Sequence, residues 1–481
     1  MKGKKNKIGL LVLLFAASSC KELLVKPTTT STTPTTTTTG TSSKTTLTGD
    51  AAVNDWIYEV MKTNYYWTDK MPAKDQLGLV QKPDSYFDTI LFQKDVTDRF
   101  SWIQESAAEL KASFQGVSKS YGFRFTAFTV KDSDRIILSV RYSVKGGPAE
   151  KAGLKRGDVV SKIDGQVLTT ANWVSLAYPD QPTSTSLGLA NYVSSTNITE
   201  TDKVIKIAAE EVTENPIYFN TVITKGSKKV GYLVYNQFIN TSEAGLRAVF
   251  ADFKAKGVNE LILDLRFNGG GYVSTSKVLA SLIGKGVDAS KNFAIYEYNK
   301  TIDAANKKQY GNDYSLLKFA SEPNNIGANL SRLFVLTSKG TASASELIIN
   351  GLRPFMPVVI VGDNTYGKNV GSYTIEDTNT PKRWNWGLQP ITFKTTNANG
   401  ESDYGTKDGF SPSYAQKDNK LPFLQFGDEK ETLLSMALGV INGDVAMAKA
   451  RIGNVNNGTT EIQEPARKNP ARFNMLAEPL K

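Results

Sequence analysis

At 481 residues, with 40% apolar and 22% charged side chains, the chain has room for two to four domains and enough apolar material to bury their cores. It carries a formal charge of +10, one cysteine and no histidine. The missing imidazole excludes a Ser-His-Asp triad and every His-ligated metal site, and a lone thiol excludes an internal disulfide framework. Lys and Arg are scattered, with no basic run and no aromatic-interleaved stripe, so no nucleic-acid partner is expected; no metal or other cofactor is expected either.

The chain opens with a basic stretch, Lys2, Lys4, Lys5 and Lys7, followed by the apolar run Ile8 to Ala17. That run is too short to span a bilayer as a stable helix and reads as an export signal over residues 1–19. Without those four lysines the remaining charge is about +6, too mild to suggest a polyanionic partner. The small residues before Cys20 resemble a bacterial lipobox, although Ala17 is less typical there than leucine. That resemblance implies a lipidated Cys20, and with it a membrane-anchored protein facing the periplasm or the cell surface of a Gram-negative-type bacterium. An exported chain with one unpaired thiol fits this reading, because lipidation would consume it. Residues 20–49 are dominated by threonine and serine, which offer little to offset ordering entropy, and form a tether of about 30 Å.

Residues 50–112 carry aromatics at helical spacing, including Trp56, Met61, Tyr65, Tyr86 and Phe87, and are expected to form a small helical domain closed by Asp98-Arg99-Phe100-Ser101-Trp102. From 113 to 212 short alternating strands take over. Tyr121 to Phe125 and Arg135 to Val140 lead into Gly147-Pro148-Ala149, then Ala152-Gly153-Leu154-Lys155-Arg156-Gly157-Asp158 and Ile163-Asp164-Gly165. Pro148 suits a first helical turn, Gly153 a helix C-cap and Asp164-Gly165 a tight hairpin. The stretch resembles a PDZ domain of bacterial proteases. The resemblance implies peptide capture along the edge strand Tyr121, Gly122, Phe123, Arg124 and Phe125, by backbone hydrogen bonds and often by the terminal carboxylate; a PDZ fold used only as a spacer is the plainer alternative.

Residues 213–450 alternate strand and helix: strands at Val230 to Phe238, Glu260 to Leu265, Leu333 to Thr337 and Val358 to Gly362, with a helix at Ser242 to Lys256. The fold class is therefore multidomain, mixing α+β and α/β. Residues 451–481, polar and containing Asn456-Asn457-Gly458, read as a flexible, frayed tail.

Three segments of this core carry candidate chemistry. Leu263-Asp264-Leu265-Arg266-Phe267-Asn268 runs into Gly269-Gly270-Gly271, whose backbone amides suit an oxyanion hole. Thr341-Ala342-Ser343-Ala344-Ser345-Glu346 precedes an apolar helix; Ser343 and Glu346 also fit a capping box, and the helix dipole favours an anion at the Ala344 amide. Thr365-Tyr366-Gly367-Lys368 follows a strand, with Lys368 25 residues beyond Ser343. A lysine serves as a base only when burial or a neighbouring positive charge makes its amine neutral; otherwise it is an ordinary surface charge.

Together these segments resemble the S41 peptidases, the tail-specific or carboxyl-terminal processing proteases, over roughly Asp50 to Asp444. The resemblance implies a crotonase-like α/β serine-protease core in which Ser343 is the nucleophile and Lys368 its base. It also implies that the amides of Ala344 and of a glycine in Gly269 to Gly271, Gly269 or Gly270 foremost, receive the oxyanion, with Glu346 as cap and orienting group. Ser345 is the rival nucleophile. Two positions depart from the pattern: Pro354 stands where several members have an acidic residue, and Gly371 where many have glutamine. The expectation is an exported, lipid-anchored serine endopeptidase acting on polypeptides through a Ser-Lys dyad. The alternatives are a catalytically silent peptide-binding lipoprotein and, on the shared scaffold, acyl-CoA chemistry. The sequence leaves the oligomeric state open.

Overall fold

The computed structural model describes residues 47–444, 460–462 and 473–478. The expected signal, Cys20 and nearly all of the tether lie outside these residues. Among the described residues no helix is long and apolar enough to cross a membrane.

The core is a six-stranded sheet in the order Ile217–Lys225, Lys228–Tyr235, Glu260–Asp264, Leu333–Thr337, Val358–Gly362 and Tyr414–Ala415, parallel except for its first pair. Its two central strands, Glu260–Asp264 and Leu333–Thr337, are buried along their whole length, as expected of parallel strands covered on both faces. On one face lie the helices Glu243–Ala255, Val273–Ile283 and Ala344–Leu352, and on the other Thr432–Ile441. The helix Glu243–Ala255 buries Leu246, Val249, Phe250 and Phe253, the stripe that its apolar period predicts.

The PDZ-like domain is an antiparallel sheet in which Phe123–Thr129 pairs with Ile136–Ser143. Pro148 opens the short helix Pro148–Lys151, and Gly153, Asp164 and Gly165 all have positive φ, as the turn reading required. Residues 47–114 form helices Gly49–Asn64, Pro83–Ile90 and Ala107–Phe114 and the strand Trp102–Gln104. This region shares its apolar cluster with Ile375 and Leu388 of the core.

The expectation of a frayed tail fails at two places. Glu461–Ile462 adds to the free edge of Phe123–Thr129, opposite Ala127 and Phe128, and Asn474–Leu476 pairs in parallel with Gly270–Tyr272. Met475 and Leu476 are buried; two apolar residues in a polar stretch suffice for a strand when both of its flanks find backbone partners.

Beneath the sheet Arg266, fully buried, bonds Asp264, Asp418 and Glu431. Arg156, from the PDZ-like turn, reaches the same Glu431 and donates to the Leu424 carbonyl. Glu431 also accepts the amides of Leu433 and Leu434 at the start of its helix. Two guanidinium groups and those amides hold the Glu431 carboxyl down to about 2, from 4.5, against the cost of burial. Because the folded-state value is depressed, this stabilisation is present above 4.5 and is lost as pH falls toward 2. Glu431→Ala should lower the unfolding free energy by about 3–5 kcal/mol in urea titrations, since it leaves two buried cations short of a partner. Its stability should also fall less steeply than the parent's over that acid interval.

Candidate active site

Strand Leu333–Thr337 ends in a turn that hands the chain to helix Ala344–Leu352, with Ser343 at the junction. Ser343 has φ 63° and ψ −115°, a conformation that costs a non-glycine residue roughly 1–3 kcal/mol and persists only where the surroundings enforce it. The surroundings do so: Thr341 Oγ1 donates to the Leu265 carbonyl at 2.8 Å, the Ala342 amide to the Asn268 carbonyl at 3.1 Å, and Ser345 Oγ to that same carbonyl at 3.0 Å. The glycine segment and the serine turn are thus stitched together through Asn268.

The two candidate nucleophiles separate here. Ser345 spends its hydroxyl on Asn268, whereas Ser343 Oγ is buried with no hydrogen-bond partner among the described residues. The capping box forms only through its acidic half: Glu346 Oε2 accepts the Ser343 amide at 2.8 Å. Ala344 is the first helical residue, so its N–H has no intrahelical acceptor and faces outward from the helix start.

Glu346 does more than cap. The same Oε2 accepts the Lys368 amide at 2.8 Å, while Oε1 accepts the Gly367 amide at 2.7 Å and the Thr365 hydroxyl at 2.5 Å. Four donors from the Ser343 and Lys368 segments therefore converge on one fully buried carboxylate. Burial raises the Glu346 pKa from 4.5, and the Thr365 hydroxyl and the three amides resist that rise.

Lys368 is 1% exposed. Burial pulls its pKa from 10.5 down to about 7, and Arg99 pushes the same way, against Asp98 and Glu346. Its Nζ sits 4.7 Å from the centre of the Phe100 ring and donates to the Phe473 carbonyl at 2.7 Å; it makes no hydrogen bond to Ser343 Oγ. In the glycine segment the Gly270 amide donates to Asn268 Oδ1 at 2.9 Å, so of the two glycine donors considered it is already engaged and Gly269 is left. Gly271 has φ +134°, and a Cβ there would come within 2.1 Å of the Phe238 carbonyl, so the close passage of this strand requires glycine.

Sequence reasoning missed Asp98, Arg99 and Phe100. Asp98 is buried and accepts Tyr65 Oη at 2.7 Å and the Phe100 and Ser101 amides, which fixes the turn that delivers Arg99 and Phe100 to Lys368. Arg99 Nη2 donates to the Gly367 carbonyl at 2.5 Å. Adjacent opposite charges between aromatics were the available signal, but nothing local tied them to a lysine 270 residues away.

In the PDZ-like domain a groove of about 340 Å³ is lined by Tyr121, Phe123, Arg124, Phe125, Tyr178 and Asp180. Gly122 is instead fastened beside the short helix: its carbonyl accepts the Val144 amide at 2.8 Å, and a Cβ on it would meet the Pro148 ring at 2.9 Å. The regular strand begins only at Phe123. Among the described residues no three His, Cys, Asp or Glu side chains gather as metal ligands.

The architecture is a PDZ domain joined to an α/β core that carries a strained serine and a buried lysine. Residues 229–414 match the model of peptidase family S41, residues 52–102 that of the S41 N-terminal domain and residues 139–189 a PDZ domain. The chain thus carries an S41 peptidase domain preceded by an S41 N-terminal domain and a PDZ domain. It is 27% identical over 327 residues to a probable CtpA-like serine protease of Staphylococcus aureus, covering 66% of this chain and 57% of that protein. It is 28% identical over 265 residues to the chloroplastic carboxyl-terminal-processing peptidase 2 of Arabidopsis thaliana, covering 54% of this chain and 47% of that protein. The chain thus spans about half the length of these curated relatives. Among solved structures, a putative S41 protease from Bacteroides fragilis superposes with a TM-score of 0.67 at 28% identity, covering 81% of this chain and 97% of that one.

Burial lowers the Lys368 pKa most, and the two opposed charges beside it can be separated by sign. Arg99→Gln should raise the Lys368 pKa above about 7 and Asp98→Asn should lower it, as read by isotope-edited NMR of the lysine ε-methylene.

Proposed function

We propose that this protein is a serine endopeptidase that cleaves polypeptides through a Ser343–Lys368 dyad and an acyl-enzyme. The observation that carries the reading is the Glu346 carboxylate, which holds the backbone of both residues while Lys368, dry and near neutrality, is available as an unprotonated amine. In the reaction Lys368 Nζ swings to Ser343 Oγ and takes its proton as the oxygen attacks the scissile carbonyl. The amides of Ala344 and Gly269 receive the oxyanion, and the Lys368 ammonium returns the proton to the departing amine. Water, deprotonated by the same amine, then hydrolyses the ester. Glu346 holds both backbones and transfers no proton. The groove beside Phe123–Phe125 recruits C-terminal or unfolded peptide segments by strand addition, and Cys20 carries the lipid that tethers the exported enzyme to a membrane.

Ser343→Ala should abolish cleavage of an unfolded reporter with thermal unfolding unchanged, and a fluorophosphonate probe should label the parent at Ser343 but not Lys368→Ala. Absence of labelling in the parent would instead support a non-catalytic peptide binder. Because the active base is the neutral amine, kcat/KM should rise with pH through about 7 and plateau above it. Cys20→Ser should release the protein from the membrane fraction and end incorporation of labelled fatty acid; unchanged fractionation would remove the anchor from this reading.

A further inference from the structure

Ser343 is 0% and Lys368 1% exposed, so the site as observed is closed to a polypeptide. The atom on Lys368 Nζ is itself a peptide carbonyl, that of Phe473. From there Asn474–Leu476 runs as an extended strand with backbone partners on both flanks. On one side it pairs with Gly270–Tyr272; on the other, the Ser372 amide donates to the Met475 carbonyl at 2.9 Å and the Ala477 amide to the Ser372 carbonyl at 3.2 Å. This puts an extended main chain between the glycine segment and the lysine loop, which is where a peptide substrate has to lie to meet both.

The side chain at the head of this strand is also received. The Phe473 ring stacks on Tyr366 with centroids 4.0 Å apart and planes 23° from parallel. Phe100 lies 6.0 Å from Tyr366, and the Arg99 guanidinium 5.5 Å from the Tyr366 ring and 4.6 Å from that of Phe100. Gly371 makes room for the strand, because a Cβ there would lie 2.8 Å from the Met475 carbonyl and 2.2 Å from the Phe393 ring. The same region of the chain also contributes Glu461–Ile462 to the PDZ-like strand, two residues beyond the stretch that lines the groove.

We propose that residues 473–476 occupy the path of the substrate strand, that Tyr366, backed by Arg99 and Phe100, forms a specificity subsite for a flat aromatic side chain, and that Phe473 is its internal ligand. The proposal rests on the reading of Ser343 and Lys368 as the catalytic pair. Met475 and Leu476 are packed into apolar clusters and anchor the strand, whereas Phe473 is only partly buried and is the part a substrate residue would displace. Displacing its carbonyl from Lys368 Nζ frees the amine to turn to Ser343. The chain is then self-occupied at rest, and substrates with an aromatic residue at this position compete best.

The test measures kcat/KM on an unfolded reporter with the full chain carrying Phe473→Ala, which leaves Met475 and Leu476 in place. We expect a rise of at least about fivefold that Ser343→Ala in the same background abolishes. A synthetic peptide of residues 471–478 should inhibit the Phe473→Ala variant competitively, and its Phe→Ala analogue about tenfold less well. A folded variant at or below the parent rate, or inhibition indifferent to the phenyl ring, overturns the proposal while leaving the dyad intact. Cleavage that persists without Ser343 would instead overturn the underlying reading. If Phe473→Ala does not fold, Phe473→Leu, which keeps apolar bulk without the stacking plane, is judged by the same two criteria. Tyr366→Leu should erase the KM preference for Phe over Ala in paired peptide substrates, a discrimination that a purely structural tyrosine would not affect.

Discussion

The site depends on one buried carboxylate. Glu346 collects a hydroxyl and three amides from two loops that follow different strands of the central sheet. Charge-assisted bonds of this kind are short and are strengthened by the absence of competing water. A carboxylate with that many donors tolerates burial, and its negative charge holds the loops that bear Ser343 and Lys368 in a fixed relation. The strain at Ser343 is then a consequence of geometry imposed from both sides: Asn268 and Leu265 accept from the turn before it, and Glu346 holds the helix start after it.

The parallel sheet explains why these segments meet at all. Leu263, Val335 and Ile360 lie side by side in register, so the three loops that leave the C-terminal ends of their strands emerge together. Ligands and reacting groups gather at that edge in α/β sheets because the strands end in step while their loops are free to vary. The buried Arg266 network lies directly beneath and ties Asp264, Asp418 and Glu431 to the Arg156 turn of the PDZ domain. The motif glycines and the PDZ turn are thus attached to the same ionic cluster, which fixes the PDZ domain to the strand that leads into the site.

Much of this was legible in the sequence where the signal is local. Leu333–Thr337 and Val358–Gly362 match their observed bounds because an uninterrupted apolar run between turn residues admits little else. The pairing of Ser343 with Lys368 came from the resemblance to the S41 peptidases, whose motifs these segments match in order, and not from the interval itself. What stayed hidden acts across long separations. Asp98 to Phe100 looked like the end of a helical segment, and Phe473 sits in a stretch whose composition argues for a coil. Neither carries a periodicity, and each gains its role from a lysine that only the folded chain brings near. Glu346 was legible as a cap, but its grip on Gly367 and Lys368 was not, since a capping pattern concerns only the helix that contains it.

A lysine base also constrains access in a way that imidazole does not. The amine titrates near neutrality only while it stays dry, so any opening that admits bulk water restores the ammonium and removes the base. On the proposed dyad the site therefore has to remain closed as a substrate enters, and the entering chain would take over the sealing. An extended peptide bonded on both flanks, with an aromatic side chain laid flat against Tyr366, does this more completely than a small or solvated ligand could. The aromatic rings around Lys368, Phe100 at its amine and Tyr366 two residues before it, belong to the same requirement: they exclude water, and in the proposed reaction the Phe100 π-face would tolerate the ammonium formed as Lys368 takes the Ser343 proton. Burial lowers the Lys368 pKa most, Arg99 adds to that and Asp98 resists it, which leaves the amine near neutrality, where the proposed base would both take and return a proton.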